Sequence, residues 1–123
     1  MGSEMCIRDR AQEAAAGSTI LAAELKAKMD AGEDFLLVDV REPAEYEIVR
    51  IPGAVLIPKG DILNGTALSQ LPQDKQIILH CKSGVRSAEA LAAIKAAGFG
   101  NSVHVQGGVL AWAAQVDPSL PTY

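Results

Sequence analysis

Two cysteines, Cys6 and Cys81, are all that this 123-residue chain contains. They are too few for a disulfide-rich scaffold or a four-cysteine zinc site. Positive charge is also scarce: 11 Lys and Arg against 15 Asp and Glu leave a formal net charge of −4. That balance argues against nucleic-acid binding through a basic patch. No apolar run approaches the roughly 18 residues that span a bilayer, and no signal-peptide core comes after the N-terminus. A length of 123 residues leaves no room for a two-domain enzyme. What is present is 49% hydrophobic and 21% charged residues, enough for a packed core and against wholesale disorder. The expectation is one soluble, cytoplasmic globular domain that uses neither membrane nor nucleic acid.

Residues 1–10, MGSEMCIRDR, share no periodicity with the rest of the chain. The string resembles one reading frame of a transposase adapter used in DNA library preparation, read from a GTG start. Residues 1–10 are therefore expected to be a non-native, adapter-derived segment. On that reading Cys6 has no role and the natural protein extends further upstream. The segment carries two acids (Glu4, Asp9) and two bases (Arg8, Arg10), so its removal leaves the charge at −4. Residues 11–19 suit a linker, residues 20–118 the folded domain and residues 119–123 a C-terminal tail.

Along the domain, strand and helix patterns alternate. Ile20 opens a short edge strand. A helix is expected over Ala22 to Ala31, with Leu21, Leu25 and Met29 four apart on one face and Gly32 at its C-terminal end. Phe35 to Val40 is a continuous apolar run, typical of a strand covered on both faces. Pro43 to Ile48 suits a short helix with Pro in its first turn. Val55 to Ile57 and Gln76 to His80 read as strands, with loop or short helix between them from Asp61 to Leu71. A helix is expected over Ser87 to Ala97, with Leu91 and Ile94 inward and Gly98 ending it. Ser102 to Val105 is a further strand, and Gly107-Gly108 starts a last helix containing Leu110 and Trp112. The pattern predicts an open α/β fold with a mainly parallel sheet of about five strands and helices on both faces. Sites in such sheets lie beyond the strand C-termini, here Asp39, Cys81 and Gln106 onward.

Residues 80–87 read His-Cys-Lys-Ser-Gly-Val-Arg-Ser. Cys81 ends a buried strand, and a helix is expected from about Ser87. The four residues between Cys81 and Arg86 (Lys82, Ser83, Gly84 and Val85) are expected to form a tight bowl, with Gly84 permitting a strained turn. Backbone N–H groups then point inward as an anion cradle at a helix N-terminus, and Lys82 and Arg86 add positive charge. Such surroundings lower a cysteine pKa from about 8.5 to roughly 3.5–7.5. The thiolate is then a nucleophile or the carrier of an anionic adduct. The plain alternative is a small buried apolar cysteine, which the cationic glycine loop disfavours.

The neighbouring residues carry less of the chemistry. Strand alternation turns His80 to the face opposite Cys81, as a structural residue rather than a general base. His104, between two valines, reads as structural or surface. Asp39 and Arg41 can pair and brace the Cys81 loop, or form a plain structural salt bridge. Trp112 reads as core or lid packing. Gly107-Gly108 reads as a backbone turn, since no phosphate-loop signature accompanies it.

From about Ile20 to Pro118 the chain resembles a single rhodanese domain. Asp39-Val40-Arg41-Glu42-Pro43, then Glu45-Tyr46, then Ile51-Pro52-Gly53-Ala54, match the family's first signature. Arg50 departs from the histidine many members have there, within a scaffold signature where no loss of activity is expected. The Cys81–Arg86 loop and Gly107-Gly108-Val109 with Trp112 complete the match. The resemblance implies sulfur transfer: Cys81 takes sulfane sulfur from thiosulfate or a protein persulfide, holds it as a persulfide, and yields it to an acceptor. Lys82, Ser83, Gly84, Val85, Arg86 and Ser87 would form the loop, Lys82 and Arg86 holding the anionic donor. No metal or organic cofactor is implied. The strings HCKSGVRSAEAL, VREPAEYEIVRIPGA and DPSLPTY look more narrowly like the C-terminal rhodanese domain of bacterial adenylyltransferase/sulfurtransferases of the molybdopterin-synthase sulfurylase type. That likeness implies a ubiquitin-like sulfur-carrier protein as acceptor and an upstream adenylyltransferase domain. Its products feed molybdopterin, thiamine or cysteine biosynthesis. Rhodanese-like phosphatases and arsenate reductases use a Cys-x5-Arg loop, one residue longer than the Cys-x4-Arg found here. A non-catalytic docking module, the other alternative, typically lacks the cysteine.

Overall fold

The computed structural model describes residues 19–121. The expectations for residues 1–10, for Cys6 and for residues 11–18 lie outside that range, as do the last two residues of the 119–123 tail. The described chain runs β1 (Thr19–Ile20), α1 (Ala22–Asp30), β2 (Phe35–Asp39), α2 (Pro43–Ile48) and β3 (Val55–Leu56). It continues through α3 (Lys59–Leu63), a 3-10 turn (Leu68–Gln70), β4 (Gln76–His80), α4 (Val85–Ala96), β5 (Ser102–Val105) and α5 (Gly108–Gln115). The five strands form one sheet in the order β1-β5-β4-β2-β3, and every pairing is parallel.

The apolar run of β4 explains its place at the centre. Ile77, Leu79 and Cys81 face one side of the sheet and join Val38, Val40, Ile62, Leu91, Ile94 and Phe99 in one core. Ile78 faces the other side and joins Leu37, Leu25, Val103, Val105, Val109 and Trp112 in a second core. A strand buried on both faces needs apolar residues at both parities, which is what β4 and β2 carry. α3 and α4 cover the first face, and α1 and α5 the second. After β2 the chain moves outward to β3, whereas after β4 it moves the other way to β5. The crevice where the order reverses therefore opens beyond β2 and β4, at Asp39 and Cys81.

Two local expectations change. Leu21 precedes α1 as its N-cap and is 47% exposed, so only Leu25 of the Leu21, Leu25, Met29 row is fully buried. The Glu24 carboxylate accepts from the Leu21 N–H at 2.8 Å, which fixes the helix start beyond Leu21. α4 begins at Val85, two residues before the expected Ser87. Gly84 adopts φ +115° and turns the chain abruptly enough for the helix to start at once. Of the two roles open to Trp112, the buried one holds: it is core, 3% exposed. No helix among the described residues is long and apolar enough to cross a membrane.

Asp39, Arg41 and His80 are completely buried on the face opposite Cys81. The Asp39 carboxylate accepts from Arg41 N–H at 2.9 Å, from Nε at 2.9 and 3.0 Å and from Nη2 at 2.6 Å. Arg41 Nη2 also donates to the Val49 carbonyl, tying the 49–54 segment to the end of β2. This is a structural pair, in which loss of either member would strand a buried charge. It meets the root of the Cys81 loop through His80. The His80 ring lies between Asp39 Oδ2, 3.7 Å from Nε2, and the Cys81 carbonyl, 3.4 Å from Nδ1. Both neighbours only accept, so a neutral ring with one hydrogen can serve only one of them, and Nε2 has no partner within hydrogen-bond distance.

Burial holds His80 at a pKa of about 4, against the raising effect of Asp39. The folded state therefore refuses a proton that the unfolded chain accepts near pH 6.5. His80's contribution to stability is complete above about pH 6.5 and is lost as pH falls toward about 4. The loss amounts to about 3 kcal/mol. Urea unfolding between pH 7 and pH 4.5 should show this fall, and a His80→Gln variant should flatten it; an unchanged midpoint in the wild type would contradict the assignment.

Candidate active site

Cys81 comes directly after the last residue of β4, and its side chain lies on the α4 side of the sheet. Only Lys82, Ser83 and Gly84 separate it from α4, so the bowl is shorter than the sequence suggests. Val85, Arg86 and Ser87 form the first helical turn rather than loop. In that turn the backbone N–H groups have no partner within the helix and are available to an anion. Gly84 N–H donates to Cys81 Sγ at 3.0 Å. Burial pushes the Cys81 thiol up, but the Ser87 hydroxyl and the N–H groups of Ser87, Gly84 and Ser83 outweigh it and hold the pKa below the ordinary cysteine value. The charged form of Cys81 is thus favoured by donors rather than by solvent, since Cys81 is only 1% exposed.

Part of the inward aim of the loop donors has a cause across the loop. A peptide unit presents N–H and C=O on opposite sides, so holding the Cys81 and Lys82 carbonyls outward turns the Lys82 and Ser83 N–H groups inward. Val109 N–H donates to the Cys81 carbonyl at 2.8 Å, and Leu110 N–H to the Lys82 carbonyl at 3.2 Å. These donors come from the first turn of α5. The approach leaves no room for a side chain at Gly108: a Cβ there would lie 2.3 Å from the Cys81 oxygen and 2.6 Å from the Lys82 oxygen. Gly107-Gly108 is the turn expected from the sequence, and Gly108 is also the contact that lets α5 seat the loop.

Arg86 closes a two-pronged ion pair on Glu45 of α2, Nη1 to Oε2 at 2.7 Å and Nη2 to Oε1 at 2.9 Å. The family resemblance gives Arg86 to an anionic donor, and nothing in the sequence points to Glu45; the fork here joins α4 to α2. Ser87 is fully buried, with its Oγ 3.6 Å from Cys81 Sγ, 3.2 Å from the Gly84 carbonyl and 2.9 Å from His104 Nδ1. His104, structural or surface by its sequence setting, therefore stands beside the thiol through one hydroxyl. Its face is legible from the strand period, since it alternates with Val103 and Val105 and pairs with Leu79. Its distance from Ser87 depends on where α4 docks. Among the described residues no cluster of His, Cys, Asp or Glu could hold a metal ion.

A parallel sheet with a donor-ringed cysteine cradled between β4 and α4 defines the class, and comparison agrees with it. The family model of the rhodanese-like domain matches residues 21–115, and the chain belongs to that family. The chain is 53% identical over 117 residues to the protein named probable adenylyltransferase/sulfurtransferase MoeZ of Mycobacterium tuberculosis, covering 95% of this chain. It spans only 30% of the length of MoeZ. It is 40% identical over 81 residues to a sulfurtransferase of Allochromatium vinosum, covering 66% of this chain and 74% of that one. The crystal structure of a rhodanese-like domain protein from Staphylococcus aureus superposes with a TM-score of 0.73 at 32% identity, covering 86% of this chain and 98% of that one.

A Gly108→Ala substitution tests the seating of the loop. The loop must retreat from α5, at a cost of roughly 1–3 kcal/mol. The expected outcome is a melting temperature lower by about 4–8 °C per kcal/mol and a Cys81 alkylation profile moved to higher pH. Unchanged alkylation in a folded variant would show that α5 does not aim the donors.

Proposed function

We propose that the chain is a rhodanese-type sulfurtransferase domain in which Cys81 carries sulfane sulfur as a persulfide. The observation that carries this reading is the thiolate held by the N–H groups of Ser83, Gly84 and Ser87 at a helix N-terminus. The Cys81 thiolate attacks the outer sulfur of thiosulfate. A sulfur–sulfur bond forms to Cys81, the original one breaks, and sulfite leaves with its electron pair. The negative charge then rests on the outer sulfur of the persulfide, where the same cradle lowers its energy. An acceptor nucleophile attacks that sulfur and Cys81 departs as thiolate, giving ping-pong kinetics. A protein persulfide can replace thiosulfate in the first step. No metal or organic cofactor enters either step.

The short bowl supports sulfur over a tetrahedral oxyanion. Only three residues lie between Cys81 and the helix, and the Arg86 fork is engaged by Glu45. A ubiquitin-like sulfur-carrier protein as acceptor, and an adenylyltransferase domain as partner, are supported by the likeness to MoeZ. Among the described residues Cys81 is the free cysteine, which suits transfer to an external acceptor rather than to a second thiol of the domain. A reducing cytoplasm suits such a thiol. The same pathway places the product in molybdopterin-type biosynthesis.

Mass spectrometry after thiosulfate treatment should find one added sulfur atom, on Cys81. Cys81→Ala should abolish thiocyanate formation from thiosulfate and cyanide. Unchanged turnover in that variant would overturn the reading, and Cys81-dependent hydrolysis of an aryl phosphate would favour the phosphatase class instead.

A further inference from the structure

We propose that His104 is a positioning residue for Cys81, acting through the Ser87 hydroxyl. The inference deepens the functional reading and rests on it, because it concerns the same thiolate. Hydrogen supply is the deciding quantity. Ser87 has a single hydroxyl hydrogen, and three acceptor atoms compete for it: the Gly84 carbonyl at 3.2 Å, His104 Nδ1 at 2.9 Å and Cys81 Sγ at 3.6 Å. A thiolate has no hydrogen to give, so Ser87 must donate if it is to stabilise the charge.

The shortest of the three contacts then decides the direction. If His104 Nδ1 lacks a hydrogen, it draws the hydroxyl hydrogen to itself and turns the Ser87 lone pairs toward sulfur. If Nδ1 carries the hydrogen, His104 donates to Ser87 Oγ and leaves the hydroxyl hydrogen for Cys81. The Gly84 carbonyl is the weaker competitor, since it already accepts Ala88 N–H at 3.1 Å. The structure therefore assigns the Nδ1–H tautomer to the state in which Cys81 is charged: Nδ1–H to Oγ, then O–H to Sγ. Burial holds the pKa of His104 below the ordinary histidine value, so the ring is neutral at pH 7 and holds one hydrogen, making its placement a real choice. His104 Cε1 lies 4.0 Å from the position a Cβ on Gly84 would take, so the ring borders the loop.

The ionisable groups on the surrounding elements are few. Lys82 lies in the loop, Arg86 lies in the first turn of α4 and is bound to Glu45, and His80 of β4 is on the other face of the sheet. The first turn of α5 and the β1 partner Thr19 carry no group that titrates near neutrality. A pH profile of Cys81 therefore reads chiefly the thiol and its hydrogen-bond donors.

Two measurements test the proposal, and neither needs a sulfur donor. A failure of sulfur transfer and a failure of this link are thus told apart. The first uses the unmodified protein. Nitrogen-15 NMR of the histidine rings, at a pH above the Cys81 midpoint that the alkylation profile gives and with the His104 signals identified by their loss in His104→Asn, should show a protonated Nδ1. An unprotonated Nδ1 overturns the proposal. The second measures the rate of Cys81 alkylation by iodoacetamide against pH, with folding checked by thermal melts. His104→Leu and Ser87→Ala should each move the profile up by about one pH unit, a tenfold loss of thiolate on its acidic side. His104→Asn, whose amide can donate from near the Nδ1 position, should restore much of that shift. The double variant should move no further than the larger single one. A folded His104→Leu that titrates as the wild type, or additive shifts in the double variant, would sink the idea.

Discussion

Everything at the site depends on the way α5 holds the backbone of the Cys81 loop. Two N–H groups from its first turn take the carbonyls of Cys81 and Lys82, which orients the two peptide planes that carry the Lys82 and Ser83 N–H groups. Those groups then face inward, where Cys81 waits at the end of β4, and the Gly84 and Ser87 donors join them from the start of α4. This arrangement explains why a sulfur atom almost closed off from water keeps a lowered pKa. Desolvation alone would favour the thiol, but three backbone N–H groups and the Ser87 hydroxyl reverse the balance. The absence of a Cβ at Gly108 is the condition on which the approach depends.

The sheet separates the chemistry from its support. On one face stand Cys81, Ser87 and His104; on the other, Asp39, Arg41 and His80. The second group holds no reacting atom, yet it touches the same peptide: the His80 ring meets the Cys81 carbonyl from behind. That carbonyl accepts from the α5 backbone and lies 3.4 Å from a buried histidine that borders the Asp39–Arg41 pair. A packed sheet transmits the geometry because neither face can shift without opening a void. Such a scaffold suits transfer of one atom, in which the sulfur must return to the same place after each cycle.

Much of this is readable along the chain. The apolar runs of β2 and β4 state burial on both faces, and the alternation of strand and helix states a parallel sheet. The run from Cys81 through Gly84 to Arg86 marks a cradle at a strand end. Helix propensity places the start of α4 two residues late, because it does not reveal how sharply Gly84 turns the chain. Spacing alone puts Leu21 on a helix face, whereas the Glu24 carboxylate caps the chain just beyond it. The partners of Arg86 and Ser87 leave no such trace. Glu45 lies 41 residues from Arg86, and His104 lies 17 residues from Ser87.

The sequence by itself determined the scarcity of cysteine, the acidic balance, the parallel sheet and the identity of the candidate nucleophile. Each of these comes from composition or from spacing within one element and its immediate flanks. The tertiary structure decided what surrounds that nucleophile. It set Arg86 on Glu45, placed His104 behind Ser87, and brought the α5 turn against the loop. Those are contacts between elements distant in sequence. Their distances are set by how helices dock on a twisted sheet, and a local pattern of residues carries no record of that docking. The thiol at the end of β4 was written in the chain; the donors that lower its pKa were assembled only when the sheet closed around it.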